Sequence, residues 1–128
     1  MAIDHVSLAV RDLARSAAFY EATLAPLGYT KLVVRERMIG FGKTHSEIWI
    51  NLRENLPPPP ADVGAHVAVR ARSPEAVQAF HAAALAHGGS DDGAPGRRPY
   101  GSGPNMYYAA FVRDPDGNRI EAVTFLAP

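Results

Sequence analysis

Four residues in this 128-residue chain combine the side-chain types that bind transition-metal ions: His5, His66, Glu47 and Glu121. Imidazole and carboxylate groups together are ligands for Fe(II), Mn(II), Ni(II), Co(II) or Zn(II). Two imidazoles and one carboxylate on one side of an ion leave coordination positions open, as catalysis by a Lewis acid requires. These residues are far apart in the sequence, so they form a site only if the fold places them around one cavity.

The chain repeats itself with a shift of 61 residues, which aligns His5 with His66. The alignment runs without a gap and contains nine identities in 24 positions. It predicts two homologous halves, about residues 1–56 and 62–127, within one domain of ordinary size. The four prolines at residues 57–60 predict a stiff linker, since proline fixes its backbone and donates no hydrogen bond.

Each half has the same predicted order of elements. Residues 3–10 and 65–70 alternate apolar and polar side chains, as half-buried strands do. A helix follows each strand, from about Leu13 in the first half and from the residue after Ser73 in the second, with Asp12 and Ser73 as N-caps. The further strands are predicted at about Lys31–Glu36, Met38–Phe41, Glu47–Leu52, Tyr107–Val112 and Arg119–Phe125. The fold class is therefore α+β: two β-α-β-β-β modules in tandem, whose mixed sheets form a cup around a central cavity.

The alternation of each strand also predicts which side chains face the cavity. The apolar residues that alternate with His5 would pack on the helix, which leaves His5 on the cavity side, and the same argument applies to His66 and Glu121. On the strand near residue 50, the residues left on the cavity side are Glu47, Trp49 and Asn51. We therefore predict a metal site formed by His5, His66 and Glu121, with Glu47 as an optional fourth ligand.

Two alternatives remain open at this site. A single histidine at the start of a strand is more often an ordinary polar residue than a ligand, and only the repeat and the shared face with Glu121 favour a metal. The strand that carries Glu47 can also align one pair further along, which would put Trp49 at the ligand position. A tryptophan cannot bind the metal there.

The segment from Gly88 to Met106 is rich in glycine and proline and has no predicted secondary structure. A loop of this length is often a binding loop or a lid, and the alternative is a disordered connector. Beyond it, pairing Arg113 with Arg119 would place Phe111 opposite Glu121. The same pairing puts Phe111, Ala109 and Tyr107 on the cavity side, and together with Trp49 they predict an aromatic-walled pocket for a small organic ligand with a planar part. The predicted substrate-binding residues are Trp49, Asn51, Tyr107, Phe111 and Arg98.

Composition excludes several classes of protein. The chain has no cysteine, which excludes a disulfide scaffold, thiolate metal sites and a cysteine nucleophile. Its 13 Lys and Arg residues balance 13 Asp and Glu residues, whereas a nucleic-acid-binding protein needs a clustered basic face. There is no stretch of about 20 apolar residues and no signal-peptide pattern at the N-terminus, so we expect a soluble cytoplasmic protein without a membrane partner.

The repeat, the His-Val strands, the Ala-Phe-Tyr sequence of the first helix and the string from Asp114 to Glu121 resemble a known family. This is the glyoxalase/bleomycin-resistance/extradiol-dioxygenase group, the vicinal oxygen chelate superfamily. The resemblance covers essentially the whole chain. It implies that Glu121 is a metal ligand, that the first and third ligands fall on His5 and His66, and that the second falls near Glu47 to Trp49.

The resemblance also implies a mechanism and its alternatives. Two vicinal oxygens of a substrate would chelate the metal, which stabilises a developing enolate or oxyanion, and Glu121 or Glu47 would act as the base. The metal would be Zn, Ni, Co, Mn or Fe. We therefore expect a glyoxalase-like lyase or isomerase that forms a homodimer. The alternatives are a metal-free protein that sequesters an antibiotic or another small molecule, and an extradiol-type dioxygenase.

Overall fold

The computed structural model describes residues 3–100 and 106–127. Within these residues the first half, module 1, contains β1 Val6–Val10, α1 Leu13–Leu24, β2 Thr30–Val34, β3 Met38–Gly42 and β4 Ser46–Leu52. The second half, module 2, contains β5 Val67–Arg70, α2 Pro74–Ala86, β6 Ser90–Arg98, β7 Tyr107–Arg113 and β8 Arg119–Phe125. The predicted α+β class with two β-α-β-β-β modules is confirmed. No helix in the described parts of the chain is both long and apolar enough to span a membrane.

The two modules have the same sheet topology. The strand order is β1-β4-β3-β2 in module 1 and β5-β8-β7-β6 in module 2. In both sheets the first strand runs parallel to the last one, and the other pairs are antiparallel. The residue that precedes each first strand therefore lies beside the last strand of its own module, which is the arrangement that brings a histidine next to a carboxylate.

The helices begin where the sequence predicts. The Asp12 carboxylate accepts a hydrogen bond from the backbone N–H of Arg15 at 3.0 Å, and the Ser73 hydroxyl accepts one from Ala76 at 3.1 Å. Each cap satisfies a backbone donor that the first helical turn leaves unpaired. After α1, a short 3-10 turn ends at Gly28, whose φ of 86° is open to glycine without strain.

One apolar core joins the two modules. Phe19 and Tyr20 of α1, together with Phe80 of α2, are fully buried between the helices and the sheets. The rings of Phe19 and Tyr20 meet edge to face, with centroids 4.9 Å apart. Burying one such side chain stabilises the fold by about 1.5–3 kcal/mol. Since α1 and α2 also pack on each other, neither helix has a separate core.

The turn between β7 and β8 links module 2 to the start of α1 in module 1. The buried Asp116 carboxylate accepts hydrogen bonds from the guanidinium groups of Arg11 and Arg15 at 3.1 and 2.8 Å. The buried Asp114 carboxylate accepts one from the Tyr20 hydroxyl at 2.6 Å. We refer to these contacts as the turn clamp. Because buried carboxylates need such partners, the clamp fixes how the modules are joined.

The proline linker packs against the same turn. An added Cβ on Gly117 would lie 2.6 Å from Cγ of Pro59, so only glycine allows this approach, and the φ of Gly117 is 93°. The backbone carbonyl of Leu56 also accepts a hydrogen bond from Nε of Arg11 at 2.8 Å. The linker is thus held on the surface of the clamp.

One sequence prediction for module 2 is wrong. The segment 88–106 was expected to lack secondary structure, but Ser90–Arg98 forms strand β6, paired with β7. Glycine and proline disfavour a regular strand, and β6 accommodates them because it is the edge strand and its pairing shifts between Asp91 and Gly93 and again before Gly96. Residues 101–105 of that segment lie outside the described residues.

Candidate functional site

A cavity of about 520 Å³ opens on the face of the module 2 sheet opposite α2. Ile120 and Ala122 of β8 belong to the core beneath the sheet, so the residue between them, Glu121, projects to the other side. The cavity is lined by His66, Asp92, Gly93, Arg98, Tyr100, Tyr107, Phe111, Arg119 and Glu121. Five of these residues were sequence predictions. We call this the module 2 cavity.

Glu121 lies in the floor of the module 2 cavity and is only 1 % exposed. Its Oε1 atom is 2.9 Å from Nε2 of His66. Its Oε2 atom accepts a hydrogen bond from the Tyr107 hydroxyl. A buried carboxylate is costly unless its oxygens have partners, and here each oxygen has one. The two contacts hold the carboxylate in one orientation beside the imidazole.

The aromatic residues of β7 form one wall of the cavity. Burial and the neighbouring Glu121 raise the pKa of Tyr107 to about 12, so its hydroxyl stays protonated and donates at neutral pH. Phe111 pairs with Glu121 across β7 and β8, as the sequence predicted, and its ring centroid is 6.0 Å from that of His66. The wall therefore places apolar surface beside the His66–Glu121 pair.

A second, smaller groove of about 300 Å³ lies where the two modules meet. His5, Glu47 and His66 all line it. The Tyr29 hydroxyl donates a hydrogen bond to Oε1 of Glu47 at 2.8 Å, and burial together with this contact raises the pKa of Tyr29. We call this the junction groove. Because His66 also lines the module 2 cavity, the two openings adjoin at that residue.

His5 is half exposed and its ring is oriented by an adjacent residue. Nδ1 of His5 lies 2.7 Å from the carboxylate of Asp4, and this hydrogen bond lowers the pKa of Asp4. Among residues 3–100 and 106–127, no group of three or more His, Cys, Asp or Glu side chains is placed to hold a metal ion. The structure thus brings His66 and Glu121 into contact, whereas His5 lines the adjoining junction groove and does not line the module 2 cavity.

Strand register decides between the two open positions in module 1. Ser7, two residues after His5, pairs with Trp49 across β1 and β4. Ala68, two residues after His66, pairs with Glu121 across β5 and β8. Trp49 is therefore the residue equivalent to Glu121, and Glu47 lies two positions earlier on β4. Of the two alternatives, Trp49 occupies the position that matches the carboxylate.

The remaining predicted residues of module 1 are distributed over its own open face. Trp49 is half-buried, with the guanidinium carbon of Arg35 5.6 Å from its ring, and it lines a separate pocket with His5. Asn51 is half-buried further along β4 and lies outside the pockets described above. Neither residue reaches the module 2 cavity in the same chain.

Several residues of the site were not identified from the sequence. Asp92 and Arg119 line the module 2 cavity and form an ion pair with Nε and Oδ2 3.0 Å apart. They are 27 residues apart in the chain, so only the pairing of β6 revealed them. Asp4 precedes His5 directly, and that adjacent carboxylate was a usable signal.

Comparison with known families decides the identity of the fold. A model described as the Glyoxalase/Bleomycin resistance protein/Dioxygenase superfamily matches residues 2–122, which is nearly the whole chain. The chain belongs to this superfamily. None of the curated proteins compared with the chain matches it.

Solved structures of the superfamily agree with this membership. A glyoxalase/bleomycin resistance protein from Albidiferax ferrireducens is 36% identical, with a TM-score of 0.80, and the match covers 93% of this chain and 95% of that one. A glyoxalase/bleomycin resistance protein/dioxygenase family enzyme from Burkholderia phytofirmans is 19% identical, with a TM-score of 0.73 and coverages of 98% and 100%. A glyoxalase I mutant from Zea mays is 23% identical, with a TM-score of 0.66 and coverages of 93% and 44%. The last two similarities concern the fold alone.

Proposed function

We propose that this superfamily member is a divalent-metal-dependent enzyme of the glyoxalase-like kind that acts on a small oxygenated organic substrate. His66 and Glu121 would hold the ion, with His5 as the third ligand and Glu47 as an optional fourth. The supporting observation is the buried Glu121 carboxylate in contact with an imidazole at the floor of an open cavity. Two ligand atoms at right angles on one ion lie about 3 Å apart when each bond is about 2.1 Å, and the separation of 2.9 Å between Glu121 and His66 fits that spacing.

The donor set also fits an ion that keeps positions open for substrate. Trp49 occupies the module 1 position equivalent to Glu121, so the set consists of two imidazoles and one carboxylate, with Glu47 as the optional addition. When bound, a divalent ion would act as a Lewis acid that stabilises negative charge on neighbouring substrate oxygens. The metal would be Zn, Ni, Co, Mn or Fe.

The protein's own groups would orient the substrate and move the proton. Tyr107 keeps Glu121 in place through its protonated hydroxyl. Phe111 and Tyr107 would pack on a planar part of the substrate and exclude water from it. Glu121, or Glu47 from the junction groove, would accept the proton that leaves the substrate.

We also propose that the protein functions as a homodimer. Large apolar side chains on the sheets are exposed in one chain, with Leu32, Val34 and Phe125 at 40%, 65% and 49%. A second copy that covers them could bring module 1 of one chain, with His5, against module 2 of the other, with His66 and Glu121. In this arrangement His5 of the second copy would be the third ligand beside His66 and Glu121, since the described residues of one chain form no group of three ligands.

Metal titration tests the enzyme proposal. We expect the purified protein to bind about one divalent ion per chain, and we expect His66→Ala and Glu121→Gln to weaken binding at least tenfold. His87→Ala is a matched control because His87 is exposed at the end of α2, where its Nδ1 donates a hydrogen bond to the backbone carbonyl of Ala83 at 2.8 Å. Isothermal titration with Ni, Co, Zn and Mn salts measures the affinity. Equal binding by the wild type and both site variants would overturn the proposal.

Two other functions are each favoured by one observation. A metal-free binding protein is favoured because the described residues hold no cluster of three ligands, and it predicts ligand binding that survives chelation with EDTA. An extradiol-type dioxygenase is favoured because two histidines and one carboxylate form the usual ligand set of non-heme Fe(II) oxygenases. It predicts oxygen consumption when the Fe(II)-loaded protein is supplied with a catechol.

A further inference from the structure

We propose that the ligand of the module 2 cavity is a small planar carboxylate and that Arg98 binds its carboxylate group. This inference deepens the proposed function. It rests on that function only for the other end of the ligand, whose oxygen atoms would lie near His66 and Glu121. It is carried by the position of the Arg98 guanidinium, by two glycines that make room for it and by the charges in the cavity.

The Arg98 guanidinium is already fixed in position. Nη2 donates a hydrogen bond to the backbone carbonyl of Ala94 at 2.7 Å, and Nη1 donates to that of Arg97 at 3.4 Å. The guanidinium carbon lies 5.6 Å from the centroid of the Phe111 ring. An arginine that is ordered before binding loses less side-chain entropy when a ligand arrives. Within residues 3–100 and 106–127, its remaining N–H groups have no other hydrogen-bond partner and face a cavity that Arg98 lines.

Two glycines of β6 create the space that this guanidinium fills. A Cβ on Gly93 would lie 2.9 Å from Cδ1 of Phe111 and 3.4 Å from Nη2 of Arg98. A Cβ on Gly96 would lie 3.2 Å from Nη1 of Arg98. Gly93 also has a φ of +153°, which other residues rarely adopt. A side chain at Gly93 would clash with the Phe111 ring beneath the guanidinium, and one at Gly96 would shift the guanidinium by a few tenths of an ångström.

Among the described residues that line the module 2 cavity, Arg98 is the arginine without a carboxylate partner. Arg119 shares Asp92 with the neighbouring Arg113, at 3.0 and 3.6 Å, and the Glu121 carboxylate is paired with His66 and Tyr107. Within the part of the chain that the structure describes, the Arg98 guanidinium contacts two carbonyls and a ring but no carboxylate. An arginine fork binds a carboxylate through two parallel hydrogen bonds, which makes it selective for this group.

The wall between the two polar ends fits a planar ligand. Phe111 neighbours both Arg98 and His66, so a molecule stacked on its ring can reach both. Tyr100 and Tyr107 extend the aromatic wall, with ring centroids 5.1 Å apart. A cavity of about 520 Å³ is large enough for a substituted benzoate and falls within the usual range for small-molecule sites.

Calorimetric titration with matched acids and amides tests the proposal. The probes are benzoate and 2-hydroxybenzoate, each compared with its neutral amide, and the full chain is titrated in EDTA so that no metal contributes. We expect the wild type to bind at least one of the acids at least tenfold more tightly than its amide. Arg98→Met should remove this preference, and Arg98→Lys should retain part of it because the charge remains.

Arg97→Met is the control, since Arg97 is the exposed neighbour on β6 and pairs with Tyr108. It should keep the full preference for acids. A wild type that binds acids and amides equally, or that binds neither, would overturn the proposal, as would an equal loss in Arg97→Met. Unchanged melting temperatures of the variants exclude unfolding as the cause, and Arg98→Lys provides a second variant if Arg98→Met is unstable.

The outcome is separable from that of the metal titration. Acid preference in EDTA without metal binding would leave the inference standing and remove the metal-dependent function. Metal binding that depends on His66, without acid preference, would leave the proposed function standing and remove the role of Arg98.

Discussion

At the level of single residues, the environment of each acidic group decides what it does. Glu121 is buried, and its two oxygens have an imidazole and a phenol as partners. Asp114 is also buried, yet its partners are Tyr20 and backbone or side-chain groups of the same turn. The first carboxylate borders a cavity and can serve a ligand, whereas the second lies under α1 and holds the modules together.

Tyr20 gives a pH prediction at this scale. Burial and then the Asp114 charge raise the pKa of Tyr20 well above 10, so its protonated hydroxyl adds stability that is fully present below pH 10 and lost as the pH rises above it. Tyr20→Phe removes one donor from the buried Asp114 carboxylate, which keeps its bonds from Asp116 and Asn118, and should lower the free energy of unfolding by about 1–3 kcal/mol at pH 7. The difference in the free energy of unfolding between the wild type and Tyr20→Phe should be smaller at pH 10.5 than at pH 7.

Urea denaturation at pH 7, 9 and 10.5 measures both effects. Tyr100→Phe, at a position about half exposed, is the control and should change neither the stability nor its pH dependence. If the free energies of unfolding of the wild type and Tyr20→Phe change equally with pH across this range, the protonated Tyr20 hydroxyl does not stabilise the fold through Asp114.

At the level of elements, sequence patterns predicted the helices well and the strands unevenly. The caps Asp12 and Ser73 are local signals, and both function as predicted. The alternation of β8 also placed Glu121 correctly on the cavity face. The choice between Glu47 and Trp49 was not predictable, because it depends on the pairing of β1 with β4, a contact between residues that are far apart in sequence.

Strand β6 was missed for a different reason. Its glycines and its proline are typical of loops, and only the bulged pairing with β7 makes them compatible with a strand. The same glycines shape the cavity wall, because a Cβ added at Gly93 would lie 2.9 Å from Phe111 and 3.4 Å from Arg98. Residue types that hide an element from sequence analysis can thus be the ones the site requires.

A glycine substitution tests the role of β6. Gly93→Ala places a methyl group 2.9 Å from Phe111 at a φ of +153°, so we expect a loss of about 1–3 kcal/mol in the free energy of unfolding. Gly64→Ala is a matched control, since an added Cβ there meets no atom within 4 Å. Chemical denaturation of both variants measures the difference. Equal stabilities would show that Phe111 and the strand move aside at little cost.

At the level of the whole molecule, the repeat and the family resemblance predicted the architecture almost completely. Nine identities in register were enough to define two modules, and the family model covers residues 2–122. What the sequence could not predict is how the modules are joined. The turn clamp depends on Asp116 reaching Arg11 and Arg15 across about 100 residues of chain, a contact that no local pattern encodes.

Mixed dimers test the proposed assembly. If His5 of one copy completes the site of the other, a chain with His5→Ala and a chain with Glu121→Gln can form a dimer that keeps one intact site. Random mixing should then restore about a quarter of the wild-type metal capacity, since half of the dimers are mixed and each has one of two sites. Each variant alone should bind weakly. A mixture that binds no better than its components would contradict a site shared between copies.

Trp49 in module 1 and Glu121 in module 2 occupy equivalent positions, and this difference has an evolutionary consequence. A duplicated unit starts with two equivalent centres, and either can acquire or lose a reactive group while the other maintains activity. Here one module has an indole at the position where the other has a carboxylate, although both keep the aligned histidine, so the two copies have diverged at this position. The symmetry of the duplication is retained in the backbone and in the histidines, and it is lost at the carboxylate.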